Sequence, residues 1–155
     1  MKFWMLFIAI ILFAVNVFGQ IQGKVVGIAD GDTFTILTED MQRIKVRVYG
    51  IDCPESGQDY GNVAKHYTSD LIFGKQVYIQ DKGKDRYERT LGIVFTLLDS
   101  VCLNTALLTA GLAWHYKHFD KNQEWAELEQ QARNNKKGLW ERADVVVPWE
   151  WRKRK

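Results

Sequence analysis

Hydrophobic and polar residues alternate along most of the chain between residues 20 and 98, as they do in strands with one buried face. This alternation predicts five strands, over residues 22–28, 34–37, 44–48, 76–80 and 91–98. Turn-forming triplets, Asp30-Gly31-Asp32 and Thr38-Glu39-Asp40, separate the first three strands. Because these separations are short, we expect the first three strands to form an antiparallel meander.

Helical spacing replaces the alternation in three segments. Val63, Ala64, Tyr67 and Leu71 recur at helical spacing before Gly74. Two further helices are predicted over residues 103–113 and around residues 125–132, the latter ending near residue 138. Three strands, a helix, two strands and then helices is the order of a Greek-key OB barrel. We therefore expect an α+β fold that is mainly β barrel, a five-stranded OB-fold barrel with three packed helices.

The first nineteen residues differ from the rest. Lys2 is their only charge, and an apolar run over residues 3–15 follows it, with Val17 and Gly19 at positions −3 and −1 of a cleavage site after Gly19. This pattern predicts a signal peptide over residues 1–19 and one domain over residues 20–155. An uncleaved membrane anchor is the alternative, although the run is shorter than the roughly 20 apolar residues of a membrane span.

Composition narrows the class of protein without giving its function. The 155 residues are 46% hydrophobic and 13% aromatic, which excludes collagen-like and wholly disordered chains, and the net charge of +2 gives no strong basic field. Cys53 and Cys102 are the only cysteines. In an oxidising compartment they could form a disulfide, but buried or free thiols are the favoured alternative.

Four short stretches stand out, residues 30–33, 47–55, 85–92 and 111–116. Their residues are considered against the needs of phosphodiester hydrolysis, a base for water and cations for the phosphoryl oxygens. Asp32 and Asp52 offer hard oxygen ligands for Ca²⁺ or Mg²⁺, and the guanidinium of Arg47 matches two phosphate oxygens. Taken singly, each has a simpler interpretation as a hairpin turn, a solvated strand residue or a loop charge.

Taken together, the stretches have the order and spacing of a known family. The chain resembles the thermonuclease family, the secreted staphylococcal-nuclease-like phosphodiesterases, over residues 23–140. The most specific matches are Asp30-Gly31-Asp32-Thr33, residues 47–55 and the Asp-x-Tyr-x-Arg stretch over residues 85–89. Gly111-Leu112-Ala113 and Gly138-Leu139-Trp140 match more loosely.

The resemblance implies a role for each matching residue. It implies a Ca²⁺ site made by Asp32, Asp52 and the main-chain carbonyl of Cys53. It implies that Glu55 is the general base and that Arg47 and Arg89 hold the scissile phosphate. It also implies that Tyr87 and Tyr116 lie near the nucleotide.

The resemblance also implies an activity, the hydrolysis of DNA and RNA with low sequence specificity to 3′-phosphorylated products. An OB groove with aromatic residues favours single-stranded or frayed substrates. With the predicted signal peptide, this indicates a secreted or periplasmic enzyme without stable membrane association after cleavage. Nothing in the sequence indicates an oligomer, so we expect a monomer. A noncatalytic OB module that binds nucleic acid or protein is the alternative.

Two positions depart from the family pattern, and the C-terminus is unassigned. Cys53 replaces the commoner Thr, which a main-chain ligand should tolerate. Glu88 replaces a Gly, so we expect a like charge beside the phosphate site and lower affinity or altered salt dependence. The last four residues, Arg152-Lys153-Arg154-Lys155, are all basic. They are interpreted either as a tether for phosphate or a membrane surface, or as a frayed terminus.

Overall fold

The structure is a computed structural model that describes residues 20–154, so the predicted signal peptide over residues 1–19 lies outside the described residues. The strands are β1 (Gln20–Asp30), β2 (Thr33–Leu37), β3 (Arg43–Val48), β4 (Ile51–Asp52), β5 (Gln76–Lys84), β6 (Thr90–Thr96) and β7 (Trp114–His115). The helices are α1 (Gly61–Ile72), α2 (Leu103–Thr109), α3 (Gln123–Asn134) and α4 (Pro148–Trp151), with 3₁₀ turns at Gly138–Glu141 and Arg152–Arg154.

Five strands close into a barrel in the order β1-β2-β3-β6-β5, which confirms the predicted OB-type topology. All neighbouring pairs are antiparallel except β3 and β6, which run parallel. The long strand β1 pairs with β5 along its first half and with β2 along its second half. Two register shifts in its pairing with β2 mark the bulges that let one strand bend around the barrel.

The barrel interior is the main hydrophobic core. Alternate residues of the strands point inward, so that Phe34, Ile36, Val46 and Ile79 are fully buried. A second, smaller cluster lies outside the barrel and consists of Trp114, Ala132, Leu139 and Trp140, against which Val145, Val147 and Trp149 pack. The segment that precedes the basic C-terminus is therefore part of the folded structure.

The ends of several elements differ from the prediction: β5 continues to Lys84 and α3 ends at Asn134, and the ends of β6 and α2 differ for identifiable reasons. Strand β6 ends at Thr96 instead of residue 98, because the Thr96 hydroxyl bonds the Asp99 carboxylate and turns the chain, which leaves Leu98 exposed. Helix α2 ends at Thr109 instead of residue 113, since Gly111 adopts a left-handed conformation with a φ of 69°.

The helices also differ from the prediction in number. Residues 20–154 contain four α-helices instead of three, the additional one being α4, a single turn that begins at Pro148. No helix within residues 20–154 is long and apolar enough to cross a membrane.

Candidate active site

The turn between β1 and β2 holds Asp32 at one end of the barrel. The Thr68 hydroxyl of α1 donates to the Gly31 carbonyl at 2.5 Å, and the Val48 amide donates to the Asp32 carbonyl at 2.9 Å. A β-carbon at Gly31 would lie 2.8 Å from Cβ of Ala64, so only glycine lets the turn approach α1 this closely. Asp32 is thereby fixed beside the end of β3.

Asp52 and Cys53 are positioned by the short β4–β7 ladder, in which Asp52 pairs with Trp114. The Asp52 side chain is 1% exposed, and the Cys53 amide donates to Oδ2 of Asp32 at 2.6 Å. The Cys53 thiol is buried in the core, and burial raises its pKa well above the usual value. The thiol of Cys53 is therefore not suited to bind a hard cation. Both Cys53 and the half-buried Cys102 are free thiols.

Arg47 joins the two aspartates. Its Nη1 donates to the carbonyls of Val48 at 2.8 Å and Ile51 at 2.9 Å. Its Nη2 lies 2.7 Å from Oδ1 of Asp52 and 3.3 Å from Oδ2 of Asp32. Burial opposes the charge on Arg47, but the attraction of the two carboxylates outweighs burial and raises the pKa of the guanidinium. In this structure Arg47 therefore holds Asp32 and Asp52 together.

Glu55 lies in the loop after β4 and is 30% exposed. Its amide donates to Oε1 of Gln58 at 3.0 Å, and Nε2 of Gln58 donates to the Val146 carbonyl at 2.5 Å. Burial raises the pKa of the nearby Asp30, and the charges of Asp32 and Glu55 raise it further. This end of the barrel thus concentrates carboxylates.

The structure adds one residue that the sequence analysis did not assign to the site, Arg152. Its Nη2 lies 2.8 Å from Oδ2 of Asp52, and its Nη1 lies 3.3 Å from Oδ1 of Asp52 and also donates to Oε1 of Glu55. Burial raises the pKa of the Asp52 carboxyl. The hydrogen bond from Arg152 lowers it by less, so the pKa stays above the usual value. The interpretation of this terminus as frayed is therefore wrong for Arg152. Pro148 and the two tryptophans that follow it, Trp149 and Trp151, were the available indication that the segment packs.

Arg89 is held by its own loop. Oδ1 of Asp85 accepts from the amides of Tyr87 at 2.9 Å and Arg89 at 3.0 Å, while Oδ2 accepts from Nε of Arg89 at 2.7 Å. Burial opposes ionisation of Asp85, but these hydrogen bonds, that of the Arg89 side chain foremost, lower its pKa below the usual value. Nη1 of Arg89 reaches only to 3.5 Å from the Thr33 hydroxyl, next to Asp32. Asp85 thus directs Arg89 toward the carboxylates.

Glu88, which stands where the family pattern has a glycine, has its side chain in solvent. The carboxylate is 81% exposed and pairs with Lys84 at 3.2 Å. The backbone of Glu88 has a φ of 61°, a left-handed conformation that glycine adopts without strain. Since Lys84 offsets its charge and its side chain is solvated, Glu88 affects the loop mainly through its backbone.

The two tyrosines lie on different surfaces. Tyr87 is exposed, with the guanidinium groups of Arg86 and Arg89 at 4.8 Å and 5.5 Å from its ring centroid. Tyr116 stacks on Trp149 with centroids 5.2 Å apart and an interplanar angle of 3°. That stack lines an open cavity of about 550 Å³ between β7, α3 and the C-terminal segment. Tyr116 is therefore linked to the C-terminal segment, and Tyr87 to the Arg89 loop.

The carboxylates do not form a side-chain metal cage. Within residues 20–154 no group of three or more His, Cys, Asp or Glu side chains is arranged to hold a metal ion. The site predicted from the resemblance requires only two aspartates and a main-chain carbonyl, and the structure brings Asp32, Asp52 and Cys53 together at one end of the barrel.

Known proteins resemble this chain along most of its length. The model of the family described as staphylococcal nuclease homologue matches residues 45–142. The protein named micrococcal nuclease of Shigella flexneri is 35% identical over 153 residues, covering 93% of this chain and 87% of that protein. The protein named ParB of Escherichia coli is 34% identical over 155 residues, covering 94% and 87%. A protein of Escherichia coli named uncharacterized endonuclease is 38% identical over 136 residues, covering 88% of each. The chain belongs to the family of staphylococcal nuclease homologues.

Proposed function

We propose that the protein is a secreted or periplasmic, Ca²⁺-dependent nuclease that hydrolyses DNA and RNA with low sequence specificity and leaves 3′-phosphorylated products. Membership of the family and the names of its relatives support a nuclease in general. The observation that carries the proposal is the contact of Nη2 of Arg47 with both Asp32 and Asp52, with Glu55 joined to Asp52 through Arg152. These contacts support the proposal because they gather two buried aspartates and a partly exposed glutamate at one end of the barrel.

The donor set fits a hard cation. Asp32 and Asp52 are 5% and 1% exposed, so their charges are poorly solvated. Burial and the neighbouring charge of Asp32 raise the pKa of Asp52, while the hydrogen bond of Arg152 lowers it. Two carboxylates, a main-chain oxygen and water make an open site, for which we expect Ca²⁺ affinities of about 10⁻⁴–10⁻³ M. When bound, Ca²⁺ supplies positive charge that stabilises the phosphoryl oxygens during attack.

Glu55 is the residue proposed to activate water. Its exposed fraction of 30% leaves room for a water molecule at its carboxylate. Glu55 accepts a proton from that water as the water oxygen bonds to phosphorus. The bond from phosphorus to the 5′ oxygen breaks as the new bond forms, the 5′ oxygen takes up a proton from solvent to become a hydroxyl, and the phosphate stays on the 3′ side.

The two arginines have different freedom to bind a phosphate. Nη1 of Arg47 is engaged by two carbonyls and Nη2 by two carboxylates, so its first task is to fix the ligands. Arg89 is anchored through the edge that faces Asp85, and its Nη1 makes only the long contact with Thr33. We therefore propose that Arg89 provides the main guanidinium contact to the scissile phosphate. Charge-assisted contacts of this kind do not depend on the base, which agrees with low sequence specificity.

The substrate strand is proposed to extend over the aromatic residues near these groups. Tyr87 lies beside Arg89, and its exposed ring is available to stack on a base. Tyr116 and Trp149 form a second aromatic surface, with Lys117 and Arg133 lining the same cavity. Aromatic surfaces flanked by cations bind unpaired bases, so we propose a preference for single-stranded or frayed substrates and action as a monomer.

The proposal predicts calcium-dependent cleavage. The protein from residue 20 onward should hydrolyse heat-denatured DNA in millimolar Ca²⁺ and lose that activity when a calcium-selective chelator is added. Product size and end-group analysis would follow the reaction and identify the 3′ phosphates. A folded sample that cleaves in neither condition would contradict the proposal and favour a noncatalytic binding module.

Asp85 offers a test of how Arg89 is positioned. Replacing Asp85 by Ala should lower kcat by about tenfold or more, because Arg89 loses its anchor while its charge remains. Steady-state hydrolysis at saturating Ca²⁺ would measure the effect. The matched control is Asp81→Ala, which removes a carboxylate from β5 that accepts from the Gly83 amide. Equal rates in the two variants would contradict a positioning role for Asp85.

A further inference from the structure

The last residues of the chain form an ordered arm that reaches the candidate site. We define the C-terminal arm as residues 145–154. Its first half is anchored, since Val147 and Trp149 pack against the second hydrophobic cluster and the Val146 carbonyl accepts from Gln58 at 2.5 Å. Gln58 also bonds the Glu55 amide, so the arm is tied to the loop that carries the proposed base. The anchored half delivers Arg152 to the carboxylates.

Arg152 covers the oxygen atoms that the proposed metal site requires. Oδ1 of Asp52 already accepts from Arg47 at 2.7 Å, and Oδ2 accepts from Arg152 at 2.8 Å. Both oxygens of this buried carboxylate thus bind guanidinium groups. Nη1 of Arg152 also pairs with Glu55. One side chain therefore occupies a predicted metal ligand and the predicted base together.

A cation that binds the same oxygen competes with this contact, because both are positively charged. A Ca²⁺ ion bound at about 2.3–2.6 Å from Oδ2 of Asp52 would take the place of the Arg152 hydrogen and would repel its positive charge. The Arg152 side chain is 43% exposed, so it can turn into solvent while Trp149 keeps the arm in place. Displacement thus needs a rotamer change and no unfolding.

From these contacts we propose that Arg152 is an internal competitor of the metal ion. In the metal-free protein its guanidinium occupies Asp52 and Glu55 and keeps the site closed, and Ca²⁺ binding opens the site by expelling it. The inference rests on the proposed function, whose regulation it describes. Because linkage is reciprocal, the factor by which Arg152 weakens Ca²⁺ binding is the factor by which Ca²⁺ weakens the docking of Arg152.

This competition sets a calcium threshold for the enzyme. Below the threshold, the base is paired with Arg152 and Asp52 lacks a free oxygen. Above it, both groups become available in one step, since a single side chain leaves both. A nuclease built in this way is closed wherever calcium is scarce.

Calorimetric titration of the protein with Ca²⁺, without substrate, tests the inference. Arg152→Gln should bind Ca²⁺ about fivefold tighter or more than the wild type, because the competing guanidinium is gone. Lys153→Gln is the matched control. It removes the same charge from the neighbouring position, where the side chain pairs with Glu150 at 2.9 Å, and should change the affinity less than about twofold. Arg152→Lys keeps the charge without the planar fork and should fall between them.

Thermal unfolding in a calcium chelator provides a second readout. Arg152→Gln should unfold at a lower temperature than Lys153→Gln, since Asp52 then loses one of its two compensating charges. Adding Ca²⁺ should raise the melting temperature of Arg152→Gln more than that of the wild type.

Each outcome bears on the inference. Equal or weaker Ca²⁺ affinity in Arg152→Gln, with normal binding by the wild type, would overturn the internal competition and leave the proposed nuclease function intact. If neither the wild type nor any variant binds Ca²⁺, the calcium dependence and the inference both fail.

Discussion

Replacing Glu55 by Gln is expected to lower the turnover of denatured DNA by about 10²–10⁴-fold, the usual contribution of a general base. The amide keeps the size of the side chain and an oxygen that can still accept from Arg152, so the local fold should persist. It cannot accept a proton from water. Single-turnover hydrolysis at saturating Ca²⁺, together with the Kd for an uncleaved substrate analogue, would separate loss of chemistry from loss of binding.

The control for this substitution is another glutamate that also pairs with a cation. Glu150→Gln removes a carboxylate whose partner is Lys153, in the same C-terminal arm and outside the group of carboxylates. We expect its turnover to stay close to that of the wild type. Turnover near the wild-type value in Glu55→Gln would exclude Glu55 as the base and direct attention to Asp30, the neighbouring carboxylate with a raised pKa.

The second large effect is expected for the substitution of Arg47, which should lower the stability of the protein. Replacing Arg47 by Ala should lower the free energy of unfolding of the metal-free protein by about 3–5 kcal/mol, as expected when one partner of a buried ion pair is removed. The reason is the pair of carboxylates that remains, since Asp32 and Asp52 would face each other without their shared guanidinium. The carbonyls of Val48 and Ile51 would also lose their donor. Urea unfolding in a chelator measures the change.

The same strand supplies the control for Arg47. Arg43 lies four residues earlier in β3, where it is exposed, so Arg43→Ala should change stability by less than about 0.5 kcal/mol. Calcium should restore part of the loss in Arg47→Ala, because it supplies the positive charge that the carboxylates then lack. A decrease in the free energy of unfolding of less than about 1 kcal/mol would show that water stabilises the charges of the two aspartates without Arg47.

The parts of this fold that sequence could predict are those set by local pattern. Alternate residues of β6 are buried, namely Thr90, Gly92, Val94 and Thr96, so the periodicity of this strand is visible in the chain. Asp32 and Arg47 could be placed together because the meander brings the β1–β2 turn to the end of β3. The resemblance of the chain to a known family added roles that could not be assigned from the residues alone.

Contacts between residues that are far apart in the sequence could not be predicted. Arg152 is 100 residues from Asp52, and it reaches the carboxylate only because the hydrophobic residues before it pack outside the barrel. A run of basic residues has the same composition whether it is solvated or docked. The end of α2 is another case, since the amide of Leu139 bonds the Gly111 carbonyl at 2.9 Å and holds the turn from across the fold. Neither contact produces a pattern in the nearby sequence from which it could be predicted.

The order of β4 and β7 along the chain has a consequence for synthesis. A ribosome exposes Asp32, Arg47, Asp52, Glu55 and Arg89 before residue 90, yet the strand that pairs with Asp52 emerges only at Trp114–His115. Asn104, whose side chain bonds the Tyr49 carbonyl at 2.8 Å and the Val94 amide at 3.2 Å, also follows them. The nascent chain thus presents every acid and guanidinium of the predicted chemistry before it can hold them in place. The geometry can form only after β7 has emerged, so a shorter nascent chain on its messenger RNA is not yet an assembled nuclease.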